Sequence, residues 1–466
     1  MNRPPTTRHG DDRDRRGGAA PAAVRAALMA VICVVLFAGN GTGEPPPPVP
    51  PGDRTSPTPG RTTGRGGLHG AFFRVPTNLS DSPSATSLAR TSPRSIVLDD
   101  DGTGFALWME RIVHSGGTTR EIALKAYRTG AGWDSLMTPV AWWDGEESTD
   151  PTCAIDHGGA IHLAWVDRRP GQPQVFAQLF DRRRGRLSDP LQLSDGSAPA
   201  ADVALATGPD GWEHAVWTEV SGARSTLRHR TASPGGRWSP IDTPPLPDAP
   251  VIPAAYAPDI VVDDDGRAHC VWEWGRPEGV GIGYASWERD RGWSSPTLVA
   301  PATTGRYAQT PVVAVSPHGD VWVAWAVLEA DGSSRIMLRG RPPSGVWRGA
   351  QPITASQIEV VAPALAVDHW GTVHLVWEEG MAASDEEDPV PSREIMYAAL
   401  VTEPGAGNAQ PIAPRSLTPT PGGPRHRPML AVDATGRIAA AWLDEMIGLG
   451  DLVVRMGVSG FAPPPR

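Results

Sequence analysis

The stretch APDIVVDDDGRAHCVWEW, residues 257–274, decides the fold, because its pattern returns along the chain. In it Gly266 precedes Trp272 by six residues. The same spacing joins Gly102 to Trp108, Gly159 to Trp165, Gly211 to Trp217, Gly319 to Trp325, Gly371 to Trp377 and Gly436 to Trp442, so the unit occurs seven times. Successive units stand 57, 52, 55, 53, 52 and 65 residues apart, which marks a repeat architecture. In five units a proline stands 14 residues before the Trp: Pro151, Pro258, Pro311, Pro363 and Pro428.

Each unit reads as strands. Runs such as DIVV, PVVAV and ALAV are β-branched or small and end at turn residues. An Asp stands three before the Gly at Asp99, Asp156, Asp263, Asp368 and Asp433, the pattern of a tight turn. AHCVW or VHLVW then forms a second strand, GIGYASW or EIMYAAL a third, and segments such as GGRWSPI a fourth. Repetition of four short strands predicts an all-β, seven-bladed β-propeller over residues 69–458. The last unit lacks its fourth strand, and GAFFRVPTNLSD (70–81) is expected to supply it from the N-terminal side and close the ring. The DDDG run at 263–266 is therefore a hairpin turn, and its spacing is not that of an EF-hand. His162, His214, His269 and His374 each stand three before their Trp; spread around a ring they cannot share one metal, and they are expected to pack between blades.

The flanks differ in composition. Residues 1–43 hold an Arg-rich segment and an uncharged apolar run at 26–39, short for a membrane span, which predicts a signal peptide or an N-terminal membrane anchor and hence export to the cell envelope or beyond. Residues 44–68 are a Pro- and Gly-rich linker, and 459–466 a short tail. The net charge of −10 argues against a nucleic-acid partner, which would want a basic stripe. Cys33, Cys153 and Cys270 are too few and scattered for a disulfide framework, and the last two are expected to be buried. DEEDP (385–389) reads as a solvated insertion in the sixth unit.

The unit P-x-[IL]-A-V-D-x-x-G-x-[IV]-H-L-V-W resembles the BNR or sialidase-like propeller superfamily over nearly all of the chain after the linker. The closing segments SPGGRW and RDRGW look like degenerate ends of that family's Asp-box, without its leading Ser and Asp. The resemblance implies arginines that clamp a substrate carboxylate, a Tyr nucleophile with a Glu partner, and an Asp acid/base. FFRVP (72–76) matches the family's arginine motif in letters, but Arg74 lies on the closing strand, 28 residues before Gly102. The better-placed catalytic candidates are Arg94, Arg111, Glu219 and Tyr307, with Arg306, Tyr256 and Arg427 also in connections between units.

A ring of acids follows the repeated Trp: Glu110, Asp167, Glu219, Glu273, Glu378 with Glu379, and Asp444 with Glu445. Together with Arg168, Arg276 and Arg427 it is the expected ligand-binding face. The favoured expectation is a non-catalytic recognition propeller, monomeric, that binds a glycan or a protein there. The alternative is an exo-sialidase or related glycoside hydrolase with a diverged site. No metal site or cofactor motif is present in the sequence, and calcium is left open without a motif to support it.

Overall fold

The structure is a computed structural model that describes residues 71–80, 86–87, 93–115, 117–140, 145–247, 254–355, 359–380, 393–401, 410–411, 413–418, 423–445 and 450–459. The expected signal or anchor, the linker and the DEEDP insertion lie outside the described residues. The described residues are all β, with no helix among them, in a propeller arrangement.

Each repeat begins with an antiparallel meander of three strands. The first strands are Ile96–Leu98, Ser148–Ile155, Ala200–Thr207, Ala255–Val262, Arg306–Val315, Val360–Val367 and Arg425–Val432. Each touches the next and the last touches the first, so they form a closed circuit about an axis. The second strands are Thr103–His114, Ile161–Asp167, Glu213–Ser221, Ala268–Arg276, Val321–Glu329, Val373–Gly380 and Arg437–Asp444. The third strands are Gly117–Arg128, Gln174–Asp181, Arg224–Ala232, Gly279–Glu288, Ser334–Arg341, Arg393–Val401 and Asp451–Ser459.

Hydrogen bonding groups these strands into six sheets rather than separate sheets for every repeat. The fourth and fifth meanders share a nine-stranded sheet through one parallel contact, Val280 with Tyr307. The expected fourth strands are also reduced to fragments, such as Arg186–Leu187 and Leu191–Gln192, or Gly292–Trp293 and Thr297–Ala300. In the third repeat only the bridges His229 to Asp242 and Ala232 to Trp238 remain. The cause is proline: Pro190, Pro240 and Pro296 stand within these edge segments, and proline cannot donate to a ladder. The N-terminal segment does close the last sheet, with Ala71 opposite Ser459, Phe73 opposite Gly457 and Thr77 opposite Val454.

The turn between first and second strands is the same in every repeat. The glycine N–H donates to the carbonyl three residues back, as Gly266 does to Asp263 at 2.9 Å. Gly266 has φ 77°, a left-handed conformation that glycine adopts without steric cost. Asp263 Oδ1 also accepts the N–H groups of Asp265 and Arg267, at 3.1 and 2.8 Å. The aspartate run is thus a turn device.

The core sits in the seams. Each apolar cluster combines residues of neighbouring repeats, and each repeated Trp packs against the preceding one; Trp165, for example, joins Phe105, Leu107 and Leu124. Cys153 and Cys270 are buried and free. The histidines depart in part from their expected role. His162 reaches Glu213 of the next repeat at 3.0 Å, and His214 meets Trp287 edge-on, so these two do join repeats. His269 and His374 bond within their own repeat, each between its turn Asp and a Tyr hydroxyl: Asp263 and Tyr284, Asp368 and Tyr397.

Candidate functional site

The acids after the repeated Trp are mostly buried, which corrects the expectation of a charged, ligand-facing ring. Residues two apart on a strand share a face. An acid two after the Trp therefore lies beside the indole in the seam. Trp108 Nε1 donates to Glu110 at 2.8 Å, Trp165 to Asp167 at 3.1 Å, Trp217 to Glu219 at 3.3 Å, Trp377 to Glu379 at 3.0 Å and Trp442 to Asp444 at 3.4 Å. In the fourth and fifth repeats Trp274 and Val327 occupy that position, and Trp272 Nε1 and Trp325 Nε1 are buried without a hydrogen-bond partner. Arg228 also bonds Glu219 at 2.7 Å, and Arg425 bonds Asp444 at 3.0 Å in a buried pair. Asp167 further accepts from Ser148 Oγ and the Arg169 N–H. Asp167→Ala is expected to lower stability by about 2 kcal/mol, since it strands three donors. Urea denaturation would read this, and a loss below 0.5 kcal/mol (roughly the surface background) would refute the structural role.

The proposed catalytic residues are not gathered into one site. Arg94 extends from the first repeat to the opposite side of the circuit. There it holds Asp259 bidentately, at 2.6 and 3.0 Å, and donates to the Val313 carbonyl. Asp259 is fully buried and also accepts the Val313 N–H at 2.8 Å. Arg94 therefore bars the axis. Arg111 is exposed on the outer part of its hairpin, opposite Arg120. Tyr307 is half-buried opposite Leu328. Arg306 is clamped by Glu329 at 2.6 and 2.9 Å. Of the remaining binding candidates, Arg168 pairs with Glu147 at 3.2 Å, and Arg276 lies 5.4 Å over the Trp274 ring.

What the fold does build is a mouth at the end of the circuit remote from the Asp–Gly turns. The first strand of each repeat from the second to the seventh carries a β-bulge near its start. A non-glycine residue with positive φ sits in each: Asp150, Asp202, Ala257, Thr310, Ala362 and Arg427. In five of them the residue after is the repeated proline, which has no N–H to leave unpaired in the bulge. Strain of this kind is tolerated where surroundings fix it, and acids of the preceding repeat do so at three seams. Ala257 N–H donates to Asp202 at 3.3 Å, Thr310 N–H to Glu273 at 2.7 Å and Arg427 N–H to Glu378 at 2.5 Å.

Glu273 and Glu378 hold the same position, one after the Trp, yet their carboxyls are shifted in opposite directions. Glu378 is buried, but His426 and the Arg427 N–H, with Arg393 at 2.8 Å, keep its carboxyl below the usual range. Burial pushes Glu273 up to about 8 against the Thr310 hydrogen bond, and the nearby Asp202 adds to the rise. Tyr256 faces Glu273 across the strand pair, and burial with these two carboxylates raises its phenol. Asp202, Tyr256 and Glu273 thus form one acidic cluster at the mouth, Asp202 bonded to the bulge of the fourth repeat and Glu273 to that of the fifth. Sequence reading found Glu273 and noted Tyr256, but passed over Asp202, because the bulge that turns it to the mouth leaves no mark in the spacing.

A cleft of about 750 Å³ opens on the turn side between the first two repeats. Among its charges, Arg182 pairs with Asp99 and Asp101, and Arg128 with Asp134. Among the described residues no group of three or more His, Cys, Asp or Glu side chains is placed to hold a metal ion.

No family model and no curated protein matches the chain. Solved structures do. The polysaccharide lyase Uly1 superposes with a TM-score of 0.52 at 11% identity, covering 80% of this chain and 91% of its own. A PL25 ulvan lyase bound to a GlcA–Rha3S saccharide gives 0.52 at 10%, covering 81% and 94%. The intramolecular trans-sialidase from Ruminococcus gnavus gives 0.41 at 12%, covering 84% and 96%. At these identities the likeness is one of fold: the chain shares the propeller architecture of the two lyases.

Proposed function

We propose that the chain is an exported, seven-bladed recognition propeller that binds a glycan at its axial mouth without cleaving it. Each repeat supplies one blade, the fourth and fifth being joined at Val280 and Tyr307. The observation that carries the reading is the disposition of the arginines. Arg94 and Arg306, two of those expected to clamp a carboxylate, are spent on Asp259 and Glu329. The mouth keeps instead a polar group of half-buried Asp202 and Tyr256 with buried Glu273. The fold supports this assignment only in general terms, since a propeller also hosts the polysaccharide lyases it resembles. The apolar run at 26–39 supports export.

One juxtaposition favours the hydrolase alternative: Tyr256 opposite Glu273, a phenol beside a carboxyl. Two measurements decide. A glycan array is expected to give saccharide binding that Tyr256→Phe or Glu273→Gln weakens. A fluorogenic sialoside is expected to give no release above a no-protein control between pH 4 and 8 (roughly the working range of side-chain acid/base groups). Release that disappears in Tyr256→Phe would overturn the binding reading in favour of the enzyme.

A further inference from the structure

The mouth pocket has a chemical preference that follows from its lining. Tyr256 stands opposite Glu273 across the strand pair, and Asp202, which holds the N–H of the next residue, Ala257, lies close enough to add to the rise of both groups. Thr218 occupies in the third repeat the position that Glu273 and Glu378 hold in theirs, one after the Trp. Those two side chains point to the bulge of the following repeat, at Thr310 and Arg427. By the same geometry Thr218 points to the bulge at Ala257, whose N–H is held by Asp202. Thr218 is 1% exposed, and its Oγ1 has no hydrogen-bond partner. Thr310 Oγ1, on the far side of Glu273, is likewise buried and unpartnered. Buried hydroxyls without partners are uncommon and call for an explanation.

We propose that the pocket of Asp202, Thr218, Tyr256 and Glu273 receives a primary ammonium group, so that the glycan bound is one carrying a free amino sugar rather than a sialic acid or a uronate. This rests on the reading of the mouth as a glycan site. An ammonium brings three N–H donors and no acceptor. Asp202, Glu273 and the Thr218 hydroxyl can accept them, and the Tyr256 ring offers a face to the cation. The bound charge would take over the role of the proton that the buried Glu273 otherwise retains. A carboxylate in the same place would meet two acids, while Arg94 and Arg306 are bound elsewhere.

The test is calorimetric titration of the full chain with a glucosamine tetramer, its N-acetylated counterpart, sialyllactose and glucosamine itself. The glucosamine tetramer is expected to bind at least tenfold more tightly than the acetylated one, with sialyllactose weaker still. Asp202→Asn and Glu273→Gln should each cost about tenfold or more in affinity (the scale of one charge-assisted hydrogen bond). Thr218→Val separates contact from structure: it should weaken binding while leaving the melting temperature unchanged or higher, because it removes an unsatisfied buried hydroxyl. Equal or tighter binding of the acetylated tetramer or of sialyllactose overturns the ammonium assignment and leaves the glycan reading standing. Binding of glucosamine without either tetramer does the reverse. Failure of every saccharide overturns both, and unchanged affinity in the three variants moves the ligand away from this pocket.

Discussion

Arg94→Ala is expected to destabilise the protein by about 3 kcal/mol, the lower end of what removal of one partner from a buried ion pair costs. Asp259 is fully buried, whereas the Arg94 side chain retains 23% of its exposure, which is why the lower figure applies. The loss does not reflect the attraction alone. Without the guanidinium, a carboxylate stays in the axis with the Val313 N–H as its one remaining donor among the described residues, and the Val313 carbonyl loses a partner. Arg94→Met/Asp259→Asn removes the charge on both sides and leaves an amide oxygen for Val313 N–H. It is expected to recover at least half of the lost stability, roughly 1.5 kcal/mol. Urea denaturation of the three proteins checks this, and a double variant no more stable than Arg94→Ala would refute the account. The result also bears on activity assays: a loss of ligand binding in Arg94→Ala would report a disturbed axis, not a lost contact.

The repeat was legible because it is written in covalent spacing: a fixed Gly-to-Trp interval needs no tertiary information. The turn at 263–266 was legible for the same reason, since Asp and Gly three apart carry their own hydrogen bond. The role of the acids was legible in principle. Glu110 and Asp167 stand two after Trp108 and Trp165, and the two-residue period of a strand places them on the Trp's own buried face. Counting charges suggested a rim; counting faces gives a seam. Arg94 was a different case. It occupies in the first repeat the place of the repeated proline, but its partners lie 165 and 219 residues away, across the axis. Asp202 is harder still, because a bulge breaks the alternation from which a face could be read.

Between pH 6.5 and pH 4, acidification is expected to remove about 3 kcal/mol of stability through His214 alone. The four histidines three before their Trp sit in one fold position, but their surroundings differ by what stands opposite the residue before the Trp. That place holds Tyr284 and Tyr397 beside His269 and His374, and His229 beside His214. In the repeats without a histidine it holds Leu124, Leu338 and Val454. The third repeat also lacks the turn aspartate, having Gly208 there, so His214 bonds His229 at 3.2 Å instead of a carboxylate. Burial lowers His214 to about 4 against the opposing pull of Asp210, with Arg289 adding a smaller lowering, and His229 falls well below its ordinary value. The unfolded chain takes up a proton near pH 6.5 that the folded one refuses until about pH 4, so stability rises with pH across that window. Each pH unit contributes about 1.4 kcal/mol. His162 has the opposite sign: burial is outweighed by Asp156 and Glu213, which raise it to about 9. Its contribution is complete below pH 6.5 and is lost as the pH rises through 9. Glu273, which burial raises to about 8, has the sign of His162: its contribution is complete below about pH 4.5 and is lost as the pH rises through 8, so the His214 slope is read as the difference between the wild-type chain and a variant without the histidine pair. His214→Phe/His229→Leu installs the pair found in the first repeat, Phe105 with Leu124. In that variant the acid limb should flatten while the alkaline limb persists, and an acid limb of unchanged slope in urea denaturation would place the sensitivity outside this pair.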